Sequence, residues 1–375
     1  MLKQVNIALR VTLPLVLLLI TGYLVWFFTH LPTMVPAFLE TTPVPHASDA
    51  AEDPCIWIHP TDPNLSLIFG TDKDGGIGVY DLSGTEIQYL DQGRVNGIDL
   101  RYNFPLDDGR ITLVVASNRS GQCLDCFRLI PDTRRLLQVG RVDVGGDLQG
   151  CSMYFSQPEQ SYYCFVTSPL GTVKQYLLQG NRIGDVTGKL VREISFDSRV
   201  DACVTDDELG FLYVSEQKEG VWKLFADPGV NDDWRHQVCK VDRFGRVQPD
   251  AEGLAIYYGM NRTGYLILSS KGNSTFAIFE RNGKNAYVAS FGVGSGILEA
   301  GTAIDGVSGT DGIDVVNVPL GSNFPQGLLV VQDDYNDGEN QNFKLIPWEF
   351  VVQGLGDLLK ADTSWNPRDI GLSTY

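Results

Sequence analysis

The sequence predicts an all-β fold: a six-bladed β-propeller with four-stranded antiparallel blades around a central channel, preceded by an N-terminal membrane segment. The first observation is a repeat of about 50 residues, in which a polar side chain, a small or turn residue and a short apolar strand follow one another. The second is that short strands come in groups of four between these points, and the third is that helical periodicity is hard to find before Phe350. The six repeat positions are Asp53-Pro54, Asn96-Gly97, Gln149-Gly150, Asp201-Ala202, Glu252-Gly253 and Asp311-Gly312.

Composition agrees with one large, turn-rich globular domain. The chain has 375 residues, of which 43% are hydrophobic and 20% charged, and it contains 40 glycines. Its formal net charge of −17 disfavours nucleic acid as a partner, because phosphate backbones are bound by basic surfaces. An anionic small substrate remains compatible if bound cations reverse the local field.

The N-terminal residues predict a membrane segment. Residues 11–39 contain no Asp, Glu, Lys or Arg, and Lys3 and Arg10 precede them. We therefore expect residues 1–10 in the cytoplasm, a transmembrane signal anchor over 11–28 and a proline-rich stalk over 29–48. A cleavable signal peptide is the alternative. The rest of the chain is then either anchored to the inner membrane facing the periplasm, or secreted and extracytoplasmic.

The propeller domain is predicted over residues 49–352, and residues 353–375 form a tail of one helical turn followed by disorder. The chain has seven cysteines, and Cys123-Leu-Asp-Cys126 has the spacing of a redox or zinc pair. Because no second pair of this kind exists and the surrounding residues form a predicted strand, we interpret these cysteines as small buried hydrophobes.

The chemistry indicated by the residues is that of carboxylates and a hard cation. Asp49, Glu52 and Asp53 lie within five positions and repel one another unless a cation lies among them, and oxygen ligands favour calcium. Further acidic clusters lie at 250–252, 305–314 and 332–340, and the repeat would bring several of them to one end of the channel. Only four histidines are present, which disfavours a Ser-His-Asp triad or a histidine-rich zinc site. Arg119 directly follows a strong apolar strand, where it could hold a phosphate or pair with a carboxylate.

These residues together resemble the β-propeller phytases, the calcium-dependent alkaline phytases, over about residues 40–349. The motifs that carry the resemblance are Asp49-Ala-Ala-Glu-Asp-Pro-Cys-Ile-Trp57, Asn96-Gly-Ile-Asp-Leu-Arg-Tyr-Asn-Phe-Pro105, Ala116-Ser-Asn-Arg-Ser120, Asp250-Ala-Glu-Gly-Leu-Ala-Ile-Tyr-Tyr258, Ser270-Lys-Gly-Asn-Ser274, Asp305-Gly-Val-Ser-Gly-Thr-Asp-Gly-Ile-Asp314 and Asn340-Gln-Asn-Phe-Lys-Leu-Ile-Pro-Trp348. The resemblance implies a six-bladed propeller that hydrolyses phytate (inositol hexakisphosphate) with several Ca²⁺ ions at one end of the channel.

The resemblance also implies roles for individual residues. The implied metal ligands are Asp49, Glu52, Asp53, Asp201, Glu216, Asp250, Glu252, Asp305, Asp311 and Glu40. The implied catalytic residues are Lys73, Arg119, Glu216, Asp250 and Glu252, and the implied substrate-binding residues are Lys73, Arg119 and Tyr154, to which we add Lys271 as a further candidate. The chain departs from the family pattern at Glu52, Asp201-Ala202, Pro169, Lys271 and Gly309, where the family has other residues. Lys271 is expected to compensate for the lysine that Pro169 replaces.

Two functions of different classes follow. The first is calcium-dependent hydrolysis of phosphate monoesters, phytate above all, by attack of a metal-activated water. The second is a membrane-tethered, calcium-binding propeller with little or no catalysis that serves binding or scaffolding. A sugar-acid hydrolase of the lactonase type rests on fold analogy alone. The expected partners are phytate or another phosphate ester as its calcium complex and, through the N-terminal segment, a membrane; the domain is expected to be monomeric.

Overall fold

The computed structural model describes residues 32–107, 109–231, 233–297, 301 and 303–369. The chain separates into two units, 1–33 and 34–375, and the second contains nearly all of the described residues. The predicted cytoplasmic segment and membrane span lie outside the described residues. Within the described ranges, no helix is both long and apolar enough to cross a membrane.

The fold consists of short antiparallel strands in successive sheets. The N-terminal strands β1 and β2 pair with late sheets, and the strands that follow form hairpin-connected groups. In chain order, the first strands are β1 (Thr33–Pro36), β2 (Leu39–Glu40), β3 (Ala51–Trp57), β4 (Leu67–Asp72), β5 (Gly76–Asp81), β6 (Glu86–Asp91), β7 (Val95–Leu106), β8 (Gly109–Asn118), β9 (Cys123–Ile130), β10 (Arg135–Asp143), β11 (Cys151–Ser156), β12 (Ser161–Ser168), β13 (Thr172–Gly180) and β14 (Val186–Ser195).

The second half of the chain continues in the same way and ends in one helix. Its strands are β15 (Val200–Asp206), β16 (Phe211–Glu216), β17 (Gly220–Phe225), β18 (His236–Lys240), β19 (Ala251–Tyr258), β20 (Gly264–Ser270), β21 (Thr275–Glu280), β22 (Tyr287–Gly294), β23 (Gly296–Ile297), β24 (Ala303–Ile304), β25 (Ile313–Val316), β26 (Leu328–Asp333) and β27 (Asn342–Pro347). The helix α1 spans Trp348–Leu355.

The sheet orders are β3-β4-β5-β6, β15-β16-β17-β18, β1-β22-β21-β20-β19 and β2-β27-β26-β25, with β23-β24 as a small separate pair. An eight-stranded sheet, β11-β12-β13-β14-β10-β9-β8-β7, consists of two four-stranded meanders. The meanders join through a parallel pair between β10 and β14, at Gly140 and Val186. The first strands of neighbouring groups contact one another in the cyclic order β3, β7, β11, β15, β19, β25 and back to β3. The prediction of an all-β, propeller-like fold is therefore confirmed, whereas the number of six blades stays a prediction.

Partly buried carboxylates join the first strands of neighbouring four-stranded groups. Asp53 Oδ2 accepts a hydrogen bond from the backbone N–H of Ile98 at 3.0 Å. Asp99 Oδ2 accepts one from Met153 at 2.8 Å, and Asp314 Oδ2 accepts one from Ile56 at 2.7 Å. Because adjacent sheets share no ladder here, these side chains satisfy backbone groups that would otherwise be buried without a partner.

Small residues at the repeat positions let the first strands approach at the end of the ring where they begin. The N–H of Gly253 donates to the carbonyl of Asp311 at 2.8 Å. A Cβ at Gly253 would lie 2.5 Å from that carbonyl oxygen, and a Cβ at Gly97 would lie 2.4 Å from the backbone nitrogen of Cys151. The repeat of a polar residue and a small residue is thus a packing requirement of this narrow end.

The C-terminal segment is ordered further than the sequence predicted. After α1, residues 356–369 cross the far end of the ring, where the Trp365 ring stacks on Tyr258 at 3.9 Å between centroids. Asn317 Nδ2 donates to the Trp365 carbonyl at 2.9 Å, and Arg368 Nη1 donates to the His59 carbonyl at 2.8 Å. The expectation of disorder directly after one helical turn is therefore wrong through residue 369, because these contacts fix the segment.

All seven cysteines have free thiols, and six of them are buried. Cys123 and Cys126 lie on β9 within the hydrophobic interior, which confirms their interpretation as small buried hydrophobes.

Candidate active site at one end of the ring

The chain brings carboxylates and cations to the same end of the ring because its strands are antiparallel. The first strand of each group begins at this end, and the second strand ends there. Lys73 directly follows β4, Arg119 follows β8 and Lys271 follows β20. The carboxylates of Glu52, Asp201 and Glu252 lie near the beginnings of β3, β15 and β19, and Asp311 precedes β25.

A connected group of charged side chains forms at this end. Lys73 Nζ lies 2.7 Å from Asp49 Oδ1, 2.6 Å from Glu52 Oε2 and 3.4 Å from Asp311 Oδ2. Lys271 Nζ pairs with the other oxygen of Asp311. With two more carboxylates, these residues form what we call the ring-end cluster: Asp49, Glu52, Lys73, Asp201, Glu252, Lys271 and Asp311.

Carboxylates outnumber the lysines in the ring-end cluster, and burial makes their charges costly. Burial raises the pKa of Glu52 to about 7, with a further rise from Asp311 and opposition from Lys73. Burial, and then the charges of Asp201, Asp311 and Glu52, raise the pKa of Glu252 well above its ordinary value. The cluster therefore has more carboxylates than cations, and additional positive charge would stabilise the ionised carboxylates.

The donor set of the ring-end cluster fits a hard cation in chemistry. It consists of carboxylate oxygens, which Ca²⁺ prefers, and Asp201 Oδ2 is buried without a hydrogen-bond partner. Among the residues that the structure describes, however, no three acidic, histidine or cysteine side chains already surround one point as metal ligands would. Three of the carboxylates, Asp49, Glu52 and Asp311, are instead paired with lysines.

Arg119 lies beside the ring-end cluster and is weakly held. Its Nε is 3.3 Å from Asp147 Oδ1, and its Nη1 donates to Asn96 Oδ1 at 3.4 Å. Its side chain is 20% exposed and that of Asp147 is 52% exposed. Asn96 in turn donates from Nδ2 to Glu52 Oε1 at 2.5 Å. A guanidinium with only long contacts, next to the acidic ring-end cluster, is suited to binding an anionic group.

Comparison with known proteins shows the family to which this sequence belongs. The sequence profile of the Phytase family matches residues 28–372. The chain belongs to the phytase family. It is also similar to the 3-phytase of Bacillus subtilis (strain 168), with 39% identity over 347 residues, which cover 90% of this chain and 89% of that protein.

Among solved structures, the chain resembles BBS1N in its complex with ARL6DN, soaked with lead. The TM-score is 0.46, with 11% identity over 78% of each chain.

Several residues predicted for the site have other partners in the structure. Glu216 is buried, and its carboxylate accepts hydrogen bonds from the N–H and hydroxyl of Ser198 and from Trp222 Nε1. The fully buried Tyr154 donates its hydroxyl to Asp227 Oδ1 at 2.9 Å. Among the described residues, neither side chain has a hydrogen bond or ion pair with a member of the ring-end cluster.

A second group of predicted ligands surrounds a buried lysine. Lys344 Nζ donates to Asp305 and, at 2.5 Å, to Glu40 Oε2, and the Asn336 amide oxygen accepts from it at 3.1 Å. The Lys344 side chain is completely buried. The ammonium therefore already supplies positive charge to Asp305 and Glu40.

The remaining predicted residues lie close to the ring-end cluster. Asp53 makes the sheet-to-sheet hydrogen bond described above, and burial raises its pKa well above the ordinary value. The carbonyl of Asp250 accepts from the N–H of Lys271 at 3.0 Å.

Two side chains at this end were missed from the sequence. Arg199 Nε donates to Asp201 Oδ1 at 2.5 Å, and Gln217 Nε2 donates to Glu252 Oε1 at 3.2 Å. Both lie within one or two residues of positions that the sequence did single out, Asp201 and Glu216. Their position beside predicted acidic site residues is the sequence signal that could have identified them.

Proposed function

We propose that this chain hydrolyses phosphate monoesters, phytate above all, at the ring-end cluster and in a calcium-dependent reaction. The observation that carries the proposal is the convergence of buried carboxylates with Lys73, Lys271 and Arg119 at one end of the ring, in a member of the phytase family. Neither a strongly acidic protein nor a polyphosphate would approach the other without cations between them.

We propose that Ca²⁺ is held by Asp49, Glu52, Asp201, Glu252 and Asp311. Support comes from their shared location, from the raised pKa values of Glu52 and Glu252 and from the unpartnered Asp201 Oδ2. Calcium would neutralise these carboxylates and supply an activated water for attack on phosphorus. The family resemblance adds five further proposed ligands, which are Asp53, Asp250, Glu216, Asp305 and Glu40.

The chain's own cations bind and orient the phosphate in this proposal. Lys73 Nζ lies within the carboxylate group, so it can bind a phosphate oxygen that also faces the metal site. The Arg119 guanidinium has only long contacts, so its N–H groups can turn to the equatorial oxygens and stabilise their charge as the bond to the leaving oxygen breaks. Lys271 offers a further positive charge beside Asp311.

We further infer that the propeller has six blades, with the eight-stranded sheet counting as two. The cyclic contact of six first strands supports this count. We also propose a membrane anchor or signal peptide over 11–28 and an extracytoplasmic location, which the apolar N-terminal pattern supports, and a monomeric domain.

The experiment is phosphate release from calcium phytate by the purified full chain, with and without a chelator. Hydrolysis that disappears on chelation and returns with added calcium supports the proposal. Phosphate release that ignores chelation would refute calcium dependence. Calcium binding by calorimetry without turnover of phytate or simpler esters would instead select the tethered, non-catalytic propeller.

A further inference from the structure

Arg199 lies at the ring end, in a backbone segment that hydrogen bonds hold in place. It lies between β14 and β15, in a connection that is hydrogen-bonded on both sides. The N–H of Ser198 donates to Glu216 Oε1 at 2.7 Å, and the carbonyl of Arg199 accepts from the N–H of Gln217 at 3.0 Å. The N–H of Phe196 donates to the Gly171 carbonyl at 2.7 Å. The direction in which the Arg199 side chain leaves the backbone is therefore set in advance.

The guanidinium of Arg199 makes one hydrogen bond and keeps its remaining donors. Its Nε donates to Asp201 Oδ1, while Asp201 Oδ2 is left without a partner. In the part of the chain that the structure describes, Nη1 and Nη2 have no hydrogen-bond partner, and 45% of the side chain is exposed. The fork-to-fork pairing in which two arginine nitrogens meet both carboxylate oxygens is therefore not formed between Arg199 and Asp201.

The surroundings of Arg199 are those of the ring-end cluster. Burial lowers its pKa, but the carboxylates of Asp201, Glu252 and Glu52 raise it, with a net rise. Buried arginines elsewhere in the fold differ in their pairing. Arg281, for example, is completely buried, and it binds Asp206 through two nitrogens and Glu208 through one.

The position of Arg199 in the ring separates it from the other proposed phosphate contacts. In the cyclic order of first strands, β15 is three steps from β3, so the residues at their beginnings lie on opposite sides of the opening. Lys73 belongs to the group of β3 and Arg119 to that of β7. A ligand with a single phosphate could engage one side only, whereas a ligand with several phosphates around a ring could reach both.

We propose that Arg199 determines specificity for polyphosphorylated substrates, by holding a phosphate other than the one cleaved near Lys73 and Arg119. A guanidinium with two unused N–H groups matches the oxygens of a phosphate in a bidentate arrangement. This inference rests on the proposed phosphatase function, and it adds a residue that the sequence did not single out.

The test compares Arg199→Gln and Arg199→Lys with the wild-type full chain on phytate and on phenyl phosphate, both with saturating calcium. Removing one charge-assisted contact should raise KM for phytate about ten- to hundredfold, with kcat changed less than about twofold. KM for phenyl phosphate should not change, and Arg199→Lys should restore part of the loss. The matched control is Arg182→Gln, an exposed arginine in the β13–β14 turn at the other end of its sheet, which should change neither substrate.

Calorimetric binding of inositol hexakissulfate, a polyanion that the protein cannot dephosphorylate, supplies a readout that needs no turnover. Arg199→Gln should weaken this binding by a similar factor. Equal changes in KM for both substrates, or an altered calcium affinity with unchanged KM, would overturn the inference and leave Arg199 as the positioning partner of Asp201. If the wild type fails to hydrolyse phytate, the proposed function fails, while the hexakissulfate comparison still decides the role of Arg199.

Discussion

Replacing Arg119 by alanine should separate catalysis from stability. The structure gives this side chain two long contacts, at 3.3 Å to Asp147 and 3.4 Å to Asn96. Because Asp147 is 52% exposed, the ion pair belongs to the class worth at most about 1 kcal/mol of folding free energy. A loss of that size lowers the melting temperature of a domain this large by no more than about 4 °C.

Catalysis should suffer far more than stability. If Arg119 stabilises charge on the transferred phosphoryl oxygens, its loss should cost about as much as one oxyanion donor, a factor of about 10² to 10³ in kcat. The assay is phosphate release from calcium phytate alongside thermal unfolding, at several calcium concentrations. Calcium should raise the melting temperature of Arg119→Ala as much as that of the wild type, because the residue touches phosphate rather than metal.

Arg141→Ala is the matched control, with the opposite expectation. Arg141 Nε lies 2.9 Å from Oδ1 of Asp125, whose side chain is completely buried. Removing this arginine should destabilise the fold and leave kcat per folded molecule unchanged. If Arg119→Ala behaves like this control, with a lowered melting temperature and normal turnover, then Arg119 is a structural ion-pair partner and the proposed site is wrong.

Three further predictions test other parts of the structure. Asp311→Asn removes a carboxylate that pairs with two lysines, so activity and calcium-dependent stability should both fall. Added calcium should restore part of each. A loss that calcium cannot restore would contradict the role of Asp311 as a ligand. Burial raises the pKa of Asp314 to about 7, so the folded state keeps a proton that the unfolded chain releases near pH 4. The free energy of unfolding should therefore fall as pH rises between these two values, by at most about 4 kcal/mol. Denaturant unfolding at pH 5 and pH 8 should show a smaller fall in Asp314→Asn than in the wild type. An unchanged pH dependence in that variant would assign the effect to another group. Trp365→Ala should lower the melting temperature, because its ring stacks on Tyr258 across the far end of the ring, and an unchanged melting temperature would show that this contact adds nothing to stability.

The repeat in the sequence predicted the propeller-like fold because its cause is local and recurs. At the four glycines of the repeat, neighbouring first strands approach so closely that a Cβ would collide with the next backbone; these glycines are Gly97, Gly150, Gly253 and Gly312. A polar residue beside each such position is therefore carried to one end of the ring. The same reasoning predicts that the polar residues of the repeat, among them Asp201, Glu252 and Asp311, lie at one end of the ring.

Pairing between distant side chains could not be read from the sequence. Glu216 follows the acidic pattern, but Ser198 and Trp222 occupy its oxygens, and these partners come from a loop and a strand whose approach is set by tertiary packing. Lys344 reaches Glu40 across 304 positions of the chain. A carboxylate pattern identifies oxygen donors, but it does not say whether a lysine or a metal ion will meet them.

The C-terminal segment shows a similar limit. Residues 356–369 contain few apolar side chains in a regular pattern, so local propensity predicts no structure. Their order depends on contacts with the far end of the ring, such as the hydrogen bonds of Asn317 Nδ2 to the carbonyls of Asp362 and Trp365. Segments fixed by such contacts lie beyond pattern-based prediction.

The central claim is that calcium held by the ring-end cluster enables phytate hydrolysis, and a calcium titration of turnover in the wild type and in Glu252→Gln tests it most directly. The full chain should release phosphate from phytate only when calcium is present. Glu252→Gln should require a higher calcium concentration for half-maximal turnover, because it loses one buried carboxylate of the cluster. Turnover that is independent of calcium, or the same half-maximal calcium concentration in both proteins, would contradict the claim.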